Sequence, residues 1–361
     1  MLEIKKLSAG ELKSIPGYDN HELVIRFENK ETGLLGFVAI HNTNLGPASG
    51  GTRMYPYTST KDALIDALKL SRAMTYKCAI AGITNGGGKA VIIGDIDHHK
   101  NHDLLKAFVE VVNSFNGKFY TGEDVGISEN DIQFMLNYSK FFIGRSNFAG
   151  DPSPYTALGT FYIMRNAAEN VFGSSDLSKR TIGIKGVGKV GIELLKLLTE
   201  AGASVMIADI KQDAVNRAVI KYPKAKVVSH LDIHSQPMDI FAPCALSGDI
   251  NWESVSQIKA KLICGVANNQ LESPEINDEL IKKGILYVPD YLSNAGGLID
   301  LSDELEKGGY NKERVMSRIK NLSESFREIF QISKKENISF AGLVDQLAEQ
   351  RFKNGKTANQ K

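Results

Sequence analysis

The chain has 361 residues, 42% of them hydrophobic and 24% charged, with a formal net charge of +1. That length exceeds a typical single domain and predicts two, while the near-neutral charge supplies no long-range field for nucleic acid or acidic membranes. No apolar run reaches the length of a membrane helix, MLEIKKLSAG lacks the apolar core of a signal peptide, and Cys78, Cys244 and Cys264 form no CxxC pattern, so a cytoplasmic protein with reduced thiols is expected.

Taken in order, residues 22–28 and 35–41 read as two strands joined by the polar turn NKETG. The Gly/Pro-rich stretch NLGPASGGTRM leads into a helix opened by a Ser59–Asp62 capping box, with Leu64, Ala67, Leu68, Ser71 and Met74 on one face. Lys77 follows that helix in MTYK. NGGGKAVIIGD (85–95) then sets three glycines before Lys89, with a strand over 90–93. A helix is expected over 102–115, and GKFYTGEDVG (117–126) reads as a strand and then a loop carrying Asp124. DPSPYTALGT becomes helical over 156–171. Beyond it strand and helix alternate through RTIGIKG, KVGIELLKLLTEAG and SVMIAD, with shorter apolar runs at MDIFAP, KLICGVAN and ILYVPDY. Such interleaving implies parallel βαβ units in a doubly wound sheet. Residues 311–335 form an amphipathic helix whose stripe of Val315, Ile319, Leu322, Phe326 and Ile329 belongs to the core, and the polar last ten residues are expected to fray.

The predicted fold class is therefore α/β with two domains. An N-terminal α/β catalytic domain spans 1–148, with 336–361 packing back on it. A Rossmann-type domain spans 149–335, and the chemistry is expected in a cleft between the two.

GVGKVG supplies Gly186, Val187, Gly188, Lys189, Val190 and Gly191 in the G-x-G-x-x-G pattern. Its setting between a strand and a helix, with Asp209 ending the next strand, is that of a dinucleotide site. Gly186 allows the tight turn, Gly188 the approach of a pyrophosphate, and Gly191 close helix–strand packing. Asp209 would accept from ribose hydroxyls and repel a 2′-phosphate, favouring NAD over NADP; Lys211 lies near enough to weaken that preference. An ordinary α/β turn without ligand is the competing reading.

GGGK is not a P-loop, because Ile83 and Ala90 stand where that motif needs Gly and Ser or Thr. Two lysines and a carboxylate beside glycine-rich backbone suit an amino-acid substrate. One ammonium group fixes the substrate carboxylate. The other, its pKa lowered by burial and a cationic neighbour, exchanges protons near neutral pH. Surface lysines are common, so solvated side chains remain the alternative.

The motifs GGTRM, MTYKCAIAG, NGGGKAVIIGD, GEDVG, PSPYTALG, GVGKVG, APCAL, ANNQL and DYLSNAGG run in order from about residue 42 to 305. Together they resemble the Glu/Leu/Phe/Val amino-acid dehydrogenases, most closely the leucine-acting members. The resemblance implies that Lys89 activates the attacking water and that Asp124 relays protons with it. It implies that Lys77 holds the substrate carboxylate in a pocket lined by Gly51 and Met74. Asn268 would contact substrate and nicotinamide ribose, Thr156, Ala242 and Pro243 would position the nicotinamide, and Asn294 would sit on a loop at the cleft. The implied reaction is reversible NAD-dependent oxidative deamination of an L-amino acid to a 2-oxo acid and ammonia by a homo-oligomer.

Glutamate-specific relatives carry a lysine where this chain has Ser49, so an apolar substrate is expected. Leucine-specific relatives usually have leucine there and alanine at the place of Gly122, with valines at Leu298 and Leu301. The pocket is thus reshaped and expected to widen on one side. Leucine and other branched chains lead, with phenylalanine or tryptophan as the alternative. Two further classes stay open: a non-catalytic NAD-binding module, and a hydroxy-acid dehydrogenase, which would need a histidine base in a cleft motif. HHKNH, with His98, His102, Asp95 and Asp97, suggests a metal site, but a solvated loop fits its one-turn spacing better and no metal is expected.

Overall fold

A computed structural model describes residues 1–145 and 147–358. The chain forms two compact units: Met1–Asp151 with Leu301–Tyr310 and the stretch from Ala348, and Pro152–Asp300 with Asn311–Leu347. Of the C-terminal segment expected on the first unit, only the part from Ala348 lies there.

The first unit is built on six strands, β1 (Glu3–Lys6), β2 (Leu23–Asn29), β3 (Leu34–Asn42), β4 (Ala48–Tyr55), β5 (Gly86–Ile93) and β6 (Phe119–Gly122), ordered β1-β2-β3-β5-β4-β6. The pairs from β1 to β5 run antiparallel, whereas β4 runs parallel to both β5 and β6. Helix α1 (Thr60–Ile80) covers one face, where Val24, Phe37, Ala39 and Val91 pack against Ala63, Leu64, Ala67 and Leu68. Helix α2 (His102–Ser114) covers the other, where Ile25, Phe27, Ile40, Ala90 and Ile92 meet Leu104, Leu105, Phe108, Val111 and Val112. Helix α3 (Glu129–Leu136) follows, opened by a Ser128–Asp131 capping box. Each fully buried side chain of this kind stabilises the fold by about 1.5–3 kcal/mol.

The Gly/Pro-rich stretch, to which no element was assigned, forms strand β4 from Ala48 onward, and the strand expected over 90–93 begins already at Gly86. Residues 86–88 lie too close to their neighbours to carry side chains. A Cβ on Gly87 would stand 2.2 Å from the Thr75 backbone N of α1, and one on Gly88 would stand 2.8 Å from the Phe119 ring. Helix α1 also runs three residues beyond Lys77, so that lysine belongs to its last turn.

The second unit carries six parallel strands, β7 (Thr181–Lys185), β8 (Ser204–Ala208), β9 (Lys226–Val227), β10 (Ile240–Pro243), β11 (Leu262–Ile263) and β12 (Leu286–Tyr287), ordered β12-β11-β10-β7-β8-β9. The order reverses between β7 and β10, and that switch point is where open α/β sheets bind ligands. Helices α4 (Ser153–Phe172), α5 (Lys189–Glu200) and α6 (Gln212–Lys221) precede or connect these strands. Helix α7 (Lys312–Glu336) buries Val315, Ile319, Leu322, Phe326 and Ile329, the stripe expected from spacing.

The C-terminal residues do not fray as expected up to 358. Helix α8 (Phe340–Ala358) continues through them, and 359–361 lie outside the described residues. Within the first unit Phe352 packs edge-on to Tyr76 at 5.4 Å, and Tyr76 donates to Glu349 at 2.8 Å.

Candidate active site

In the first unit, side-chain alternation along β5 sends Ala90 and Ile92 toward α2, and Lys89 with Val91 toward α1. Lys89 is only 4% exposed, and its Nζ donates to Oδ2 of Asp124 on the loop after β6. Gly51 on β4 closes the third side: a Cβ there would lie 2.9 Å from Asp124 Cβ and 3.3 Å from Lys89 Nζ. Residues separated by 35 positions in the chain thus form one buried ion pair.

A further member was not anticipated. Arg53, two residues after Gly51 on β4, donates from Nε to the same Asp124 oxygen at 3.3 Å and from its terminal nitrogen to Asp66 Oδ2 of α1 at 2.9 Å. Tyr57 donates to that Asp66 oxygen at 2.5 Å. Arg53 stands in GGTRM, and the period-2 spacing Ser49, Gly51, Arg53 was the available signal.

Burial pushes the Lys89 pKa down, the Asp124 charge opposes this, and the Arg53 charge adds to the lowering. For Asp124, burial alone would raise the carboxyl, but Lys89 and Arg53 outweigh it and hold it well below the usual carboxylate range. The result is a permanent carboxylate beside an ammonium group that releases its proton more readily than a surface lysine.

Lys77 is buried in α1, and Met74 lies one turn earlier, its Cγ 3.4 Å from where a Cβ of Gly50 would stand. Ser49 is fully buried beside the Cys78 thiol. Gly122 is backed by Ile143, whose carbonyl oxygen would lie 3.0 Å from an added Cβ. An alanine methyl at Gly122 would therefore press on Ile143. Leu301 packs at Gly144, its Cδ2 3.5 Å from an added Cβ there, and Leu298 is buried in the second unit.

The second unit holds the glycine motif as anticipated. Gly186 adopts φ +104°, open to glycine but strained for other residues, and Gly188 opens α5 without a side-chain cap. A Cβ on Gly191 would stand 2.1 Å from the Gly186 carbonyl oxygen, whereas one on Gly188 would meet nothing within 4 Å. Gly188 thus marks open space in front of a helix N-terminus, which suits a pyrophosphate. Asp209, one residue past β8, accepts from Val187 N and Lys211 N, both at 2.8 Å, which orients its carboxylate beside the glycine turn. Lys189 and Val190 begin α5.

Pro243, after fully buried Ala242, ends β10 next to β7. Thr156 in α4 donates from Oγ1 to the Pro152 carbonyl at 3.0 Å. Asn294 donates from Nδ2 to Asn268 Oδ1 at 2.9 Å and to the Val266 carbonyl at 3.1 Å, while its buried Oδ1 has no protein partner. An orphaned buried acceptor, open space at Gly188 and an oriented carboxylate at the end of β8 would all fit a dinucleotide. Cys244 is partly exposed as a residue, but its thiol is withdrawn from solvent, which pushes its pKa up to about 12.

Comparison with known proteins agrees with both halves. The family description "Glu/Leu/Phe/Val dehydrogenase, dimerisation domain" matches residues 20–140, and "Glutamate/Leucine/Phenylalanine/Valine dehydrogenase" matches 206–360. The chain is 43% identical to leucine dehydrogenase of Geobacillus stearothermophilus over 343 residues, 94% of this chain and 92% of that one.

The chain belongs to the Glu/Leu/Phe/Val dehydrogenase family.

It is therefore an amino-acid dehydrogenase, an oxidoreductase dependent on a pyridine nucleotide. Similarity extends to valine dehydrogenase of Streptomyces virginiae, 42% identical over 92% of this chain and 94% of that one. A solved L-tryptophan dehydrogenase from Nostoc punctiforme superposes with a TM-score of 0.77 at 37% identity, covering 97% of this chain and 100% of the other. Among the described residues no group of three or more His, Cys, Asp or Glu is arranged to hold a metal, and no helix is long and apolar enough to cross a membrane. In HHKNH, the His102 ring stacks on Phe134 at 4.1 Å and His99 accepts from the Asp95 backbone at 3.0 Å.

Proposed function

We propose that this enzyme catalyses the reversible NAD-dependent oxidative deamination of an apolar L-amino acid, with leucine and other branched chains preferred, to the 2-oxo acid and ammonia. The observation that carries the reading is the buried Lys89–Asp124 pair beside Gly51. When bound, NAD supplies a nicotinamide ring that accepts hydride from the substrate Cα. Lys77 holds the substrate carboxylate, in a pocket with Met74 and Gly51. Lys89, once neutral, takes a proton from the water that attacks the imine carbon, and Asp124 compensates the ammonium that results. Ammonia then leaves and the 2-oxo acid remains. Thr156, Ala242, Pro243, Asn268 and Asn294 orient the nicotinamide.

Asp209 supports NAD over NADP, because its carboxylate would face a 2′-phosphate. Ser49 in place of a cation argues against glutamate. Ile143 behind Gly122 supports an aliphatic rather than an enlarged aromatic pocket. A homo-oligomer assembled through the first unit and a cytoplasmic location complete the reading; the words "dimerisation domain" over residues 20–140 support the former.

Tryptophan or phenylalanine as substrate is the second reading, favoured by the similarity to a tryptophan dehydrogenase along 97% of the chain. Reduced-nucleotide formation from Leu, Val, Ile, Phe, Trp and Glu, with NAD and with NADP, decides between them. Highest kcat/KM with leucine and NAD is expected; highest kcat/KM on an aromatic substrate overturns the aliphatic choice.

A further inference from the structure

The Lys89–Asp124 pair does not stand alone. Arg53 shares Asp124 Oδ2 with Lys89, so one carboxylate oxygen receives two cationic donors. It is 12% exposed at its side chain and reaches Asp124 from β4, while Lys89 reaches it from β5. Asp66 on α1 accepts from the far side of the guanidinium, and Tyr57, between β4 and α1, donates to Asp66. Arg53 from β4 and Asp66 from α1 are thus charges that act on the pair, with Tyr57 as a neutral donor to Asp66. Helix α1 also carries Lys77, and its Arg72 is engaged by Asp19 at 2.8 Å.

We propose that Arg53 is a positioning residue for the reaction: it holds the Asp124 carboxylate in place and, as the second cation on that oxygen, sets the pH at which Lys89 becomes a base. This inference rests on the reading of Lys89 as the catalytic base.

The physical argument is one of competition. A lone ammonium–carboxylate pair in a buried site stabilises the charged lysine and delays its deprotonation. A guanidinium on the same oxygen stays charged at every working pH, repels the ammonium and diverts part of the carboxylate's charge. Lys89 then gives up its proton more readily while Asp124 remains ionised. Asp66 works the other way. It partly neutralises Arg53 and attracts Lys89, so the two residues bracket the lysine's proton affinity from opposite sides. Neither needs to touch substrate.

The bracketing gives a test that a merely structural role does not pass. The acidic limb of the kcat/KM–pH profile for oxidative deamination is measured for the full-length protein and for Arg53→Met, Arg53→Lys and Asp66→Asn, with melting temperatures and NAD binding as checks on folding. Removing the guanidinium favours the ammonium form of Lys89, so Arg53→Met moves the limb to higher pH by about one unit, an approximately tenfold loss of kcat/KM below it. Removing the Asp66 anion disfavours the ammonium form, so Asp66→Asn moves the limb to lower pH. Arg53→Lys keeps the charge and returns the limb toward the native position. Opposite shifts from the two charge deletions support the proposal; no shift, or shifts of the same sign, in folded proteins overturns it. If Arg53→Met does not fold, the downward shift in Asp66→Asn decides by its presence or absence. Lys89→Ala separates this from the underlying reading: an inactive Lys89→Ala protein with normal NAD affinity leaves only the role of Arg53 in question, whereas an active one removes the reading itself.

Discussion

Adding a single methyl group at Gly51 perturbs the site where β4 meets the loop that carries Asp124. A Cβ there would lie 2.7 Å from the Glu123 carbonyl oxygen and 2.9 Å from Asp124 Cβ, about 0.7 and 0.5 Å inside ordinary contact at 3.4 Å. The loop cannot simply retreat. The Asp124 carbonyl accepts from Ile127 N at 3.0 Å, and the Val125 carbonyl accepts from Met54 N at 2.8 Å. Gly126 is confined more tightly still, since a Cβ on it would meet the Met54 carbonyl oxygen at 2.1 Å. The methyl must therefore displace Asp124 from Lys89 or push β4 away from the loop. Overpacking of this kind costs about 1–3 kcal/mol of stability. A shift approaching 1 Å at a catalytic group costs up to roughly 100-fold in rate, so Gly51→Ala should lower kcat about 10–100-fold. Steady-state kinetics with the preferred amino acid, alongside NAD titration and thermal melting, is the assay. NAD affinity should be unchanged, because the glycine motif lies in the other unit. A folded Gly51→Ala protein with native kcat would refute the argument that this contact holds the pair together.

Asp209→Ala removes the acceptor of two backbone N–H groups and of the proposed ribose contacts, and should weaken NAD binding about 10–100-fold while sparing kcat at saturating coenzyme. Fluorescence titration checks it, and native affinity would count against Asp209 as the ribose acid. Acid stability offers another test. Burial lowers His21 and His41 to about 4 from 6.5 in the folded state. The unfolded chain binds protons first, so stability is full above pH 6.5 and falls between 6.5 and 4 by about 2–4 kcal/mol per histidine. A melting temperature that is flat over that window would contradict it; His41→Gln should reduce the slope.

The glycine motif, Asp209 and the alternation of strands and helices in the second unit were legible because each is local. A turn, a helix start and the end of the next strand follow from contiguous residues. Strand β4 was not legible. Its paired glycines have poor strand propensity, yet β5 and β6 flank it on both sides and supply its hydrogen bonds, so its place inside the sheet overrides composition. The C-terminal helix was missed for a related reason. Its polar sequence hides Phe352 and Glu349, whose partners Tyr76 and His41 lie far away in the chain.

By itself, the sequence marked a glycine turn between a strand and a helix and set three glycines directly before Lys89. It also carried the succession of motifs that marks the family. Only the tertiary structure decided which cation stands beside Lys89 and that Asp66 and Tyr57 brace it. Those groups come from β4, β5, α1 and a loop, and a proton affinity depends on distances between charges that no spacing along the chain encodes.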